Sequence, residues 1–553
     1  MYYKLLTRDI KTGSRTEKFE DNTYTIFWEG LIFIKGLAPG EESLIRFIEE
    51  LKKVPLNIIV EKLSGVFACI ICDKKKDTVY NFVDNSGLFS LFYSPNFIST
   101  SFLKIVEISQ LRKTDINPTK YTDIVAANAF MKWETYFDSI NRLRYDEILV
   151  NDGSEMILKK KKMRDLFKID KFDKTIIEQY EAIAESLKKI NGRISFDLSG
   201  GLDTRMNCVV FKHHGLDFET AISGMPGNLD VEYSKKVAEA LGTKHYISYH
   251  SFNTNELKKD LEESFWSFEP LQDIVIWQSY LPYQKDKLRR NCILTVTGHA
   301  GELYKNEFIW NLDNRNPKKA IDQMLNWGAN IRYGTDLRHI PHGIYTENYI
   351  KYSKGYGERL KEFLIKNFGN DTSGKVGAKI YTYFHEASRS TNMGPIINRF
   401  SPLLDRDLIP CGITLKTTAN AFKRTIKKIL TQQWNDRDVF ESRVITSLNK
   451  KVAKAKITSS LGLNASTKRI DRIRNLLLFA KGKIIKPKLE LISSIHPEYY
   501  PAVRSLNKTQ EMFEILKNEG ILNKKVKIED VMDIYLGSLF TIGRFIEFCD
   551  ELK

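Results

Sequence analysis

Residues 193–206 read RISFDLSGGLDTRM. A β-leaning apolar run stops at Ser199-Gly200-Gly201, and Asp203 and Thr204 open the apolar segment that follows. Adjacent glycines let a backbone approach an anion closely and take positive φ. A helix that follows presents unpaired N–H groups at the positive end of its dipole. Ser199 and Thr204 add hydroxyl donors. Asp203 would repel a phosphate unless a cation stood between them, so it points to a Mg²⁺ ion. No Gly-Lys-Ser/Thr follows, so the turn is not a Walker A loop. The implied chemistry is the holding of a polyphosphate such as the pyrophosphate portion of ATP.

Such a turn needs a strand before it and a helix after it, and the flanking pattern supplies both. From IIEQYEAIAESLKKI onward, helical stretches alternate with the apolar runs RISFDLS, FETAISG, KHYISY and CILTVTG. That alternation implies βαβ units and a parallel sheet. Ligands of such sheets bind beyond the carboxyl ends of the strands, where Ser199 lies. Beyond about residue 305 the pattern is mostly helical. Residues 22–105 instead read as short β runs (TYTIFWEGLIFIKG, GVFACIICD, TVYNFVD, SLFYS) with one helical piece, EESLIRFIEELKKV. A helical stretch at 121–133 and further strands lead to the basic run KKKKMR at 159–164, after which a domain boundary is expected at 168/169.

The 553 residues carry 42% apolar and 28% charged side chains, the balance of a globular protein with more than one core. No apolar run is long enough to span a membrane. The first residues have neither an apolar segment nor a small-residue cleavage site, so a cytoplasmic location is expected. The six cysteines are scattered and suggest no disulfide framework. Cys69 and Cys72 spell CxxC, but on a strand they would face opposite ways, as buried thiols rather than a metal site. The net charge of +16 is spread through lysine-rich helices, so a nucleic-acid partner is not expected. Trp266, Trp277 and Trp310 fall in helical stretches and are assigned to the core.

The turn LSGGLDT between strand and helix resembles the PP-motif of the N-type ATP pyrophosphatases, and the chain resembles the asparagine synthetase family over most of its length. Four further stretches carry the likeness: 65–94 (GVFACIICDKKKDTVYNFVDNSGLFSLFYS), 230–247 (DVEYSKKVAEALGTKHYI, similar to a helix ending LGTxH), 296–304 (VTGHAGELY, similar to SGEGSDELF) and 399–409 (RFSPLLDRDLI, similar to ExRxPFLDxxLV). The resemblance implies an α/β fold. An amidotransferase-like α+β sandwich of the NTN-hydrolase type would occupy residues 1–168. An ATP pyrophosphatase domain with a parallel sheet and a helical extension would occupy residues 169–553. It implies that ATP and Mg²⁺ activate a carboxylate as an acyl-adenylate, pyrophosphate leaves and an amine attacks. Ser199, Gly200, Gly201, Asp203 and Thr204 would hold pyrophosphate, with Leu198, Ile222 and Gly298 contacting the nucleotide and Asp203 and Glu302 the metal. The substrate pocket would lie between Ser199 and the 298–302 loop, roofed by the region beyond 380.

Three departures bear on that expectation. Family members that use glutamine expose a cysteine at the amino terminus once Met1 is removed. Here Tyr2 stands at that position, no cysteine precedes Cys69, and the glutamine-binding NGEIYN stretch is missing. The first domain is therefore expected to be an inactive glutaminase, with ammonia or a substrate amine as the nitrogen source. That loss is shared with β-lactam and carbapenam synthetases, with lasso-peptide cyclases and with synthetase-like proteins linked to surface glycans. In TGHAGELY the loop is one residue shorter, and Gly301 replaces a second metal-binding Asp. Glu302 taking over, a water ligand, and lost activity are all open. His299 stands where ring-closing members carry the tyrosine of a catalytic dyad and asparagine synthetases a glutamate, and it is a candidate base. Lys454 and Lys456 are candidates for the late lysine of the ring-closing members. Arg205 could meet a phosphate or serve at the surface, and Arg399 and Asp405 are expected to be structural.

The expected partners are a small-molecule or peptide carboxylate and an amine, with an oligomer left open. The alternatives are an ammonia-using asparagine synthetase, an RNA-modifying PP-loop enzyme and a catalytically dead scaffold. The RNA enzyme would need a sulfur-carrying cysteine near the nucleotide, and the nearest, Cys208, falls inside the next helix.

Overall fold

In the computed structural model the described residues are 16–127, 129–130, 133–168, 176–249, 253–278, 280–305, 312–331, 343–353, 355–386, 396–413, 439–457, 464–466 and 499–552. Tyr2, Trp310, the Trp277 side chain, the 169–175 segment at the expected domain boundary and the glycine-containing loop after Lys456 lie outside them.

The strands of the first half are β1 (Glu17–Glu20), β2 (Tyr24–Phe33), β3 (Ser64–Asp73), β4 (Thr78–Val83), β5 (Phe92–Tyr93), β6 (Ile98–Ser99), β7 (Asn141–Arg142), β8 (Glu147–Asn151) and β9 (Met156–Lys160). Six of them form an antiparallel sheet in the order β1-β2-β3-β4-β8-β9, and β6-β5-β7 form a small second one. The period-two alternation in β3 explains the layering. Phe67, Cys69 and Ile71 face Leu44, Phe47 and Ile48 of the helix Glu41–Leu51. Ala68 and Ile70 face the other way, toward Leu91, Ile98 and Leu143 beside the small sheet. Cys69 and Cys72 therefore take opposite faces as expected. Cys69 is buried, and burial pushes its thiol far up; Cys72 is only half-buried.

The second half holds β10 (Arg193–Asp197), β11 (Glu219–Gly224), β12 (His245–Tyr249), β13 (Cys292–Val296) and β14 (Asn398–Phe400). They form a parallel sheet in the order β12-β11-β10-β13-β14. The chain winds from β10 outward to β12, then crosses back to place β13 on the other side of β10. The switch point of this open sheet therefore lies between β10 and β13. One face of the sheet is apolar: Phe196, Val296 and Phe400 join Met206 and Phe211 of the helix Leu202–His213 in one core cluster. The other face is polar, because Asp197, Glu219 and Thr295 lie under the helix Tyr280–Arg289.

The two halves share cores. Leu31, Phe33 and Leu88 belong to the same apolar cluster as Phe400, Leu403 and Leu404. The Phe545 ring of the helix Asp533–Glu551 stacks on Tyr136 at 4.1 Å. Pro402 opens a 3-10 turn, and behind it Asp405 accepts hydrogen bonds from Lys35 and Ser64, fixing the corner to the first half. Asp405 is thus structural, as expected. Trp266 corrects the reading of it as core: it is 45% exposed, its indole N–H donates to Glu262, and one edge meets Phe548. Trp266 lies on the solvent side of the helix Thr254–Phe268, with only that edge against Phe548. No helix among the described residues is long and apolar enough to cross a membrane.

Candidate functional site

The apolar strand β10 ends at Asp197, and the Leu198 N–H extends the ladder by one bond to the Ala221 carbonyl (2.9 Å). Leu198 and, on β11, Ile222 are buried there. The chain then turns through Ser199-Gly200-Gly201 into the helix, with Gly201 at its N-cap. The turn is held from within. The Ser199 N–H donates to Thr204 Oγ1 (3.1 Å), and the Gly201 N–H to Ser199 Oγ (3.1 Å). The Gly200 N–H donates to Asp230 Oδ1 (3.0 Å) in the first turn of the helix Leu229–Leu241. Asp230 was not singled out from the sequence. Its signal is an acid two residues after Asn228, whose side chain caps that helix.

Arg205 is not at the surface, one of the two places considered for it. It is fully buried, and its guanidinium donates to the carbonyls of Gly200, Val452, Ala455 and Lys456. Nη2 alone joins Gly200 O (3.1 Å) and Lys456 O (2.8 Å). The Lys456 backbone is thus one guanidinium away from the glycine turn, although the side chains of Lys454 and Lys456 are exposed. Arginine suits this place because its planar fork serves several carbonyls at once.

The loop after β13 closes over the turn. A Cβ on Gly298 would stand 2.7 Å from the Thr204 nitrogen. A Cβ on Gly301 would stand 2.0 Å from Asp203 Cγ and 2.1 and 2.4 Å from its oxygens. The Asp203 carboxylate therefore occupies the space that a side chain at 301 would take. Glu302 is turned elsewhere and accepts a hydrogen bond from Tyr381 (3.0 Å). Among the described residues no group of three or more acidic, histidine or cysteine side chains forms a metal site. This arrangement suits an ion held by one carboxylate, phosphate oxygens and water, a habit of Mg²⁺.

His299 sits at the mouth of this loop, 39% exposed. Its carbonyl is fixed by the Ser401 hydroxyl (2.8 Å), and Ala300 beside it is held at φ 67°, a conformation that costs a residue other than glycine about 1 kcal/mol or more. Its Nδ1 lies 3.7 Å from Glu386 Oε2, and His385 Nδ1 is 3.2 Å from the other oxygen. Burial alone would push the Glu386 carboxyl up; hydrogen bonds and charge from His299 and His385 hold it well below the usual range. Glu386 ends a π-helical turn (Tyr381–Glu386), a geometry concentrated at functional sites. No sequence motif marks Glu386, and its only local signal is the His-Glu dipeptide.

His245 of the LGTxH pattern is structural. It bridges Thr220 and Ser234, each at 3.0 Å, and burial, helped by Lys235, pushes its imidazole down to about 4.

No protein-family model matches the chain. Over 421 residues it is 23% identical to "Asparagine synthetase [glutamine-hydrolyzing] 1" of Bacillus subtilis (strain 168), covering 70% of this chain and 65% of that protein. The two are distant relatives. The match supports the asparagine synthetase family for this chain, and it spans just under two thirds of that relative's length.

Proposed function

We propose that this chain is an ATP-dependent, amide-forming ligase that adenylates a carboxylate and takes its nitrogen from ammonia or a substrate amine. The observation that carries the reading is the meeting of two loops at the sheet's switch point, with Gly298 against Thr204 and Gly301 against Asp203. A carboxylate oxygen would attack the α-phosphorus of ATP, the α–β phosphoanhydride bond would break and pyrophosphate would leave. The helix N-terminus and the hydroxyls of Ser199 and Thr204 would stabilise the charge that develops on it. Mg²⁺, carried by Asp203 and phosphate oxygens with Glu302 as a further candidate, would neutralise that charge. Leu198, Ile222 and Gly298 would wall the nucleotide. The amine would then attack the acyl carbon and AMP would leave. His299 would accept the amine proton, its imidazolium stabilised by the ionised Glu386. Lys454 and Lys456 would remain the candidates to offset charge near the adenylate, and the Lys456 backbone carbonyl is tied to the turn through Arg205.

In this reading the amidotransferase-like domain would be a structural partner, and glutamine would not be the nitrogen source. Exchange of labelled pyrophosphate into ATP, dependent on a carboxylic acid and indifferent to glutamine, tests the reading. Formation of ADP and phosphate instead would refute it.

A further inference from the structure

The Arg205 guanidinium lies behind the glycine turn rather than in it. Its hydrogen bonds run to backbone carbonyls, and its Nε has no partner among the described residues. Burial pushes the group down to about 10, and no carboxylate offsets that. A buried ion without a counter-charge is a weak stabiliser, and an apolar side chain of similar size often serves a fold as well. What the four carbonyls gain from it is orientation.

The Gly200 carbonyl accepts from Nη2 at 3.1 Å. Among the described residues no peptide bond is cis, and in a planar trans peptide the carbonyl and the N–H point in opposite directions. Drawing the Gly200 carbonyl inward therefore turns the Gly201 N–H outward, away from Arg205. That N–H now donates to Ser199 Oγ (3.1 Å), a hydroxyl that can rotate aside. Two adjacent glycines lack the Cβ atoms that would resist a flip of this peptide. Flipped, it would turn a carbonyl oxygen toward a phosphate and repel it. The cation behind the carbonyl also polarises the peptide and strengthens its N–H as a donor. The same Nη2 reaches the Lys456 carbonyl (2.8 Å), and Nη1 reaches those of Ala455 (2.9 Å) and Val452 (3.4 Å). The end of the helix Lys450–Lys454 and the two residues after it thus share one cation with the turn.

We propose that Arg205 is a positioning residue that acts through the backbone: it holds the Gly200–Gly201 peptide with its N–H toward a bound oxyanion, and it couples that anion to segment 452–456. The proposal rests on the polyphosphate-holding part of the ligase reading and needs none of the ligase chemistry. Coupling of this kind is reciprocal, so an anion that firms the turn also firms the segment.

The test uses the whole chain with inorganic pyrophosphate and Mg²⁺, read by calorimetry and by amide hydrogen exchange of peptides spanning residues 452–457. Arg205→Lys keeps the charge but lacks the planar fork that serves both sides at once. Its pyrophosphate affinity should fall about tenfold, and that of Arg205→Met further. In the wild type, pyrophosphate should slow amide exchange at 452–457 several-fold, and in Arg205→Lys that response should vanish. Replacing both Lys454 and Lys456 with alanine keeps the carbonyls, so there the slowing should persist. Slowing lost with those two side chains would overturn the coupling, because the lysines rather than Arg205 would then carry it. Wild-type affinity in Arg205→Lys would overturn the proposal. So would a wild type that binds no pyrophosphate, or whose 452–457 amides ignore it. If neither Arg205 variant folds, the wild type and the double lysine variant decide through amide exchange. Arg205-dependent pyrophosphate binding in a chain that passes no labelled pyrophosphate into ATP would uphold the proposal and sink the ligase reading.

Discussion

Replacing Gly301 with alanine should disable the metal site without unfolding the chain. The new Cβ would lie 2.0 Å from Asp203 Cγ, whereas ordinary contact begins near 3.4 Å, so the carboxylate must retreat by at least 1.4 Å. Asp203 can do so by changing its side-chain rotamer, which should limit the stability cost to about 1–2 kcal/mol, the lower part of the overpacking range. Mg²⁺ tolerates far less displacement, since it demands near-octahedral geometry at about 2.1 Å. Losing one charge-assisted contact at about 1.5–3 kcal/mol corresponds to a drop in ATP–Mg²⁺ affinity of about ten- to hundred-fold. Calorimetric titration and urea unfolding of Gly301→Ala, Asp203→Ala and the double variant separate the two effects. The second substitution should add little to the binding loss of the first, because both remove the same carboxylate. Wild-type ATP affinity in Gly301→Ala, or binding losses that simply add, would refute the steric reasoning and with it the placing of the metal on Asp203.

Other outcomes follow from the same geometry. His299→Ala and Glu386→Gln should each lower amide formation by about 10²–10⁴-fold while leaving pyrophosphate exchange nearly intact, since only the second half-reaction needs the base; loss of exchange would contradict that role. Arg205→Met leaves four carbonyl partners unserved and should cost at least about 2 kcal/mol in urea unfolding, with trypsin cutting faster after Lys454 or Lys456. His245 is depressed from 6.5 to about 4 in the folded chain, so its contribution is present above pH 6.5 and is lost as pH falls toward 4. That is about 2 kcal/mol after allowance for partial exposure, and His245→Asn should flatten the pH dependence of unfolding between those limits.

The glycine turn of the candidate site was legible because it lies in a short local pattern. The strand–turn–helix of residues 193–213 needs only an apolar run, two glycines and a helix start, and those local signals gave the sheet order its centre. β14 escaped because three residues containing Asn398 and Arg399 carry no β signature; register with β13 makes them a strand. Glu386 and Asp230 escaped because their roles come from partners 87 and 30 residues away in sequence, His299 and Gly200. Arg205 was misread for a related reason. Next to a phosphate-binding motif its charge suggests an anion, but its position on the buried side of the helix commits it to carbonyls of a distant segment. The exposed ring of Trp266 shows the converse: residue type alone placed it inside, and the geometry of one helix face leaves it largely outside.

Calorimetric titration of ATP–Mg²⁺ into the folded wild-type chain and into Asp203→Ala, each with and without glutamine, bears most directly on the ligase reading. Saturable binding that weakens in Asp203→Ala and ignores glutamine is expected. A folded wild type that takes up no ATP would contradict it.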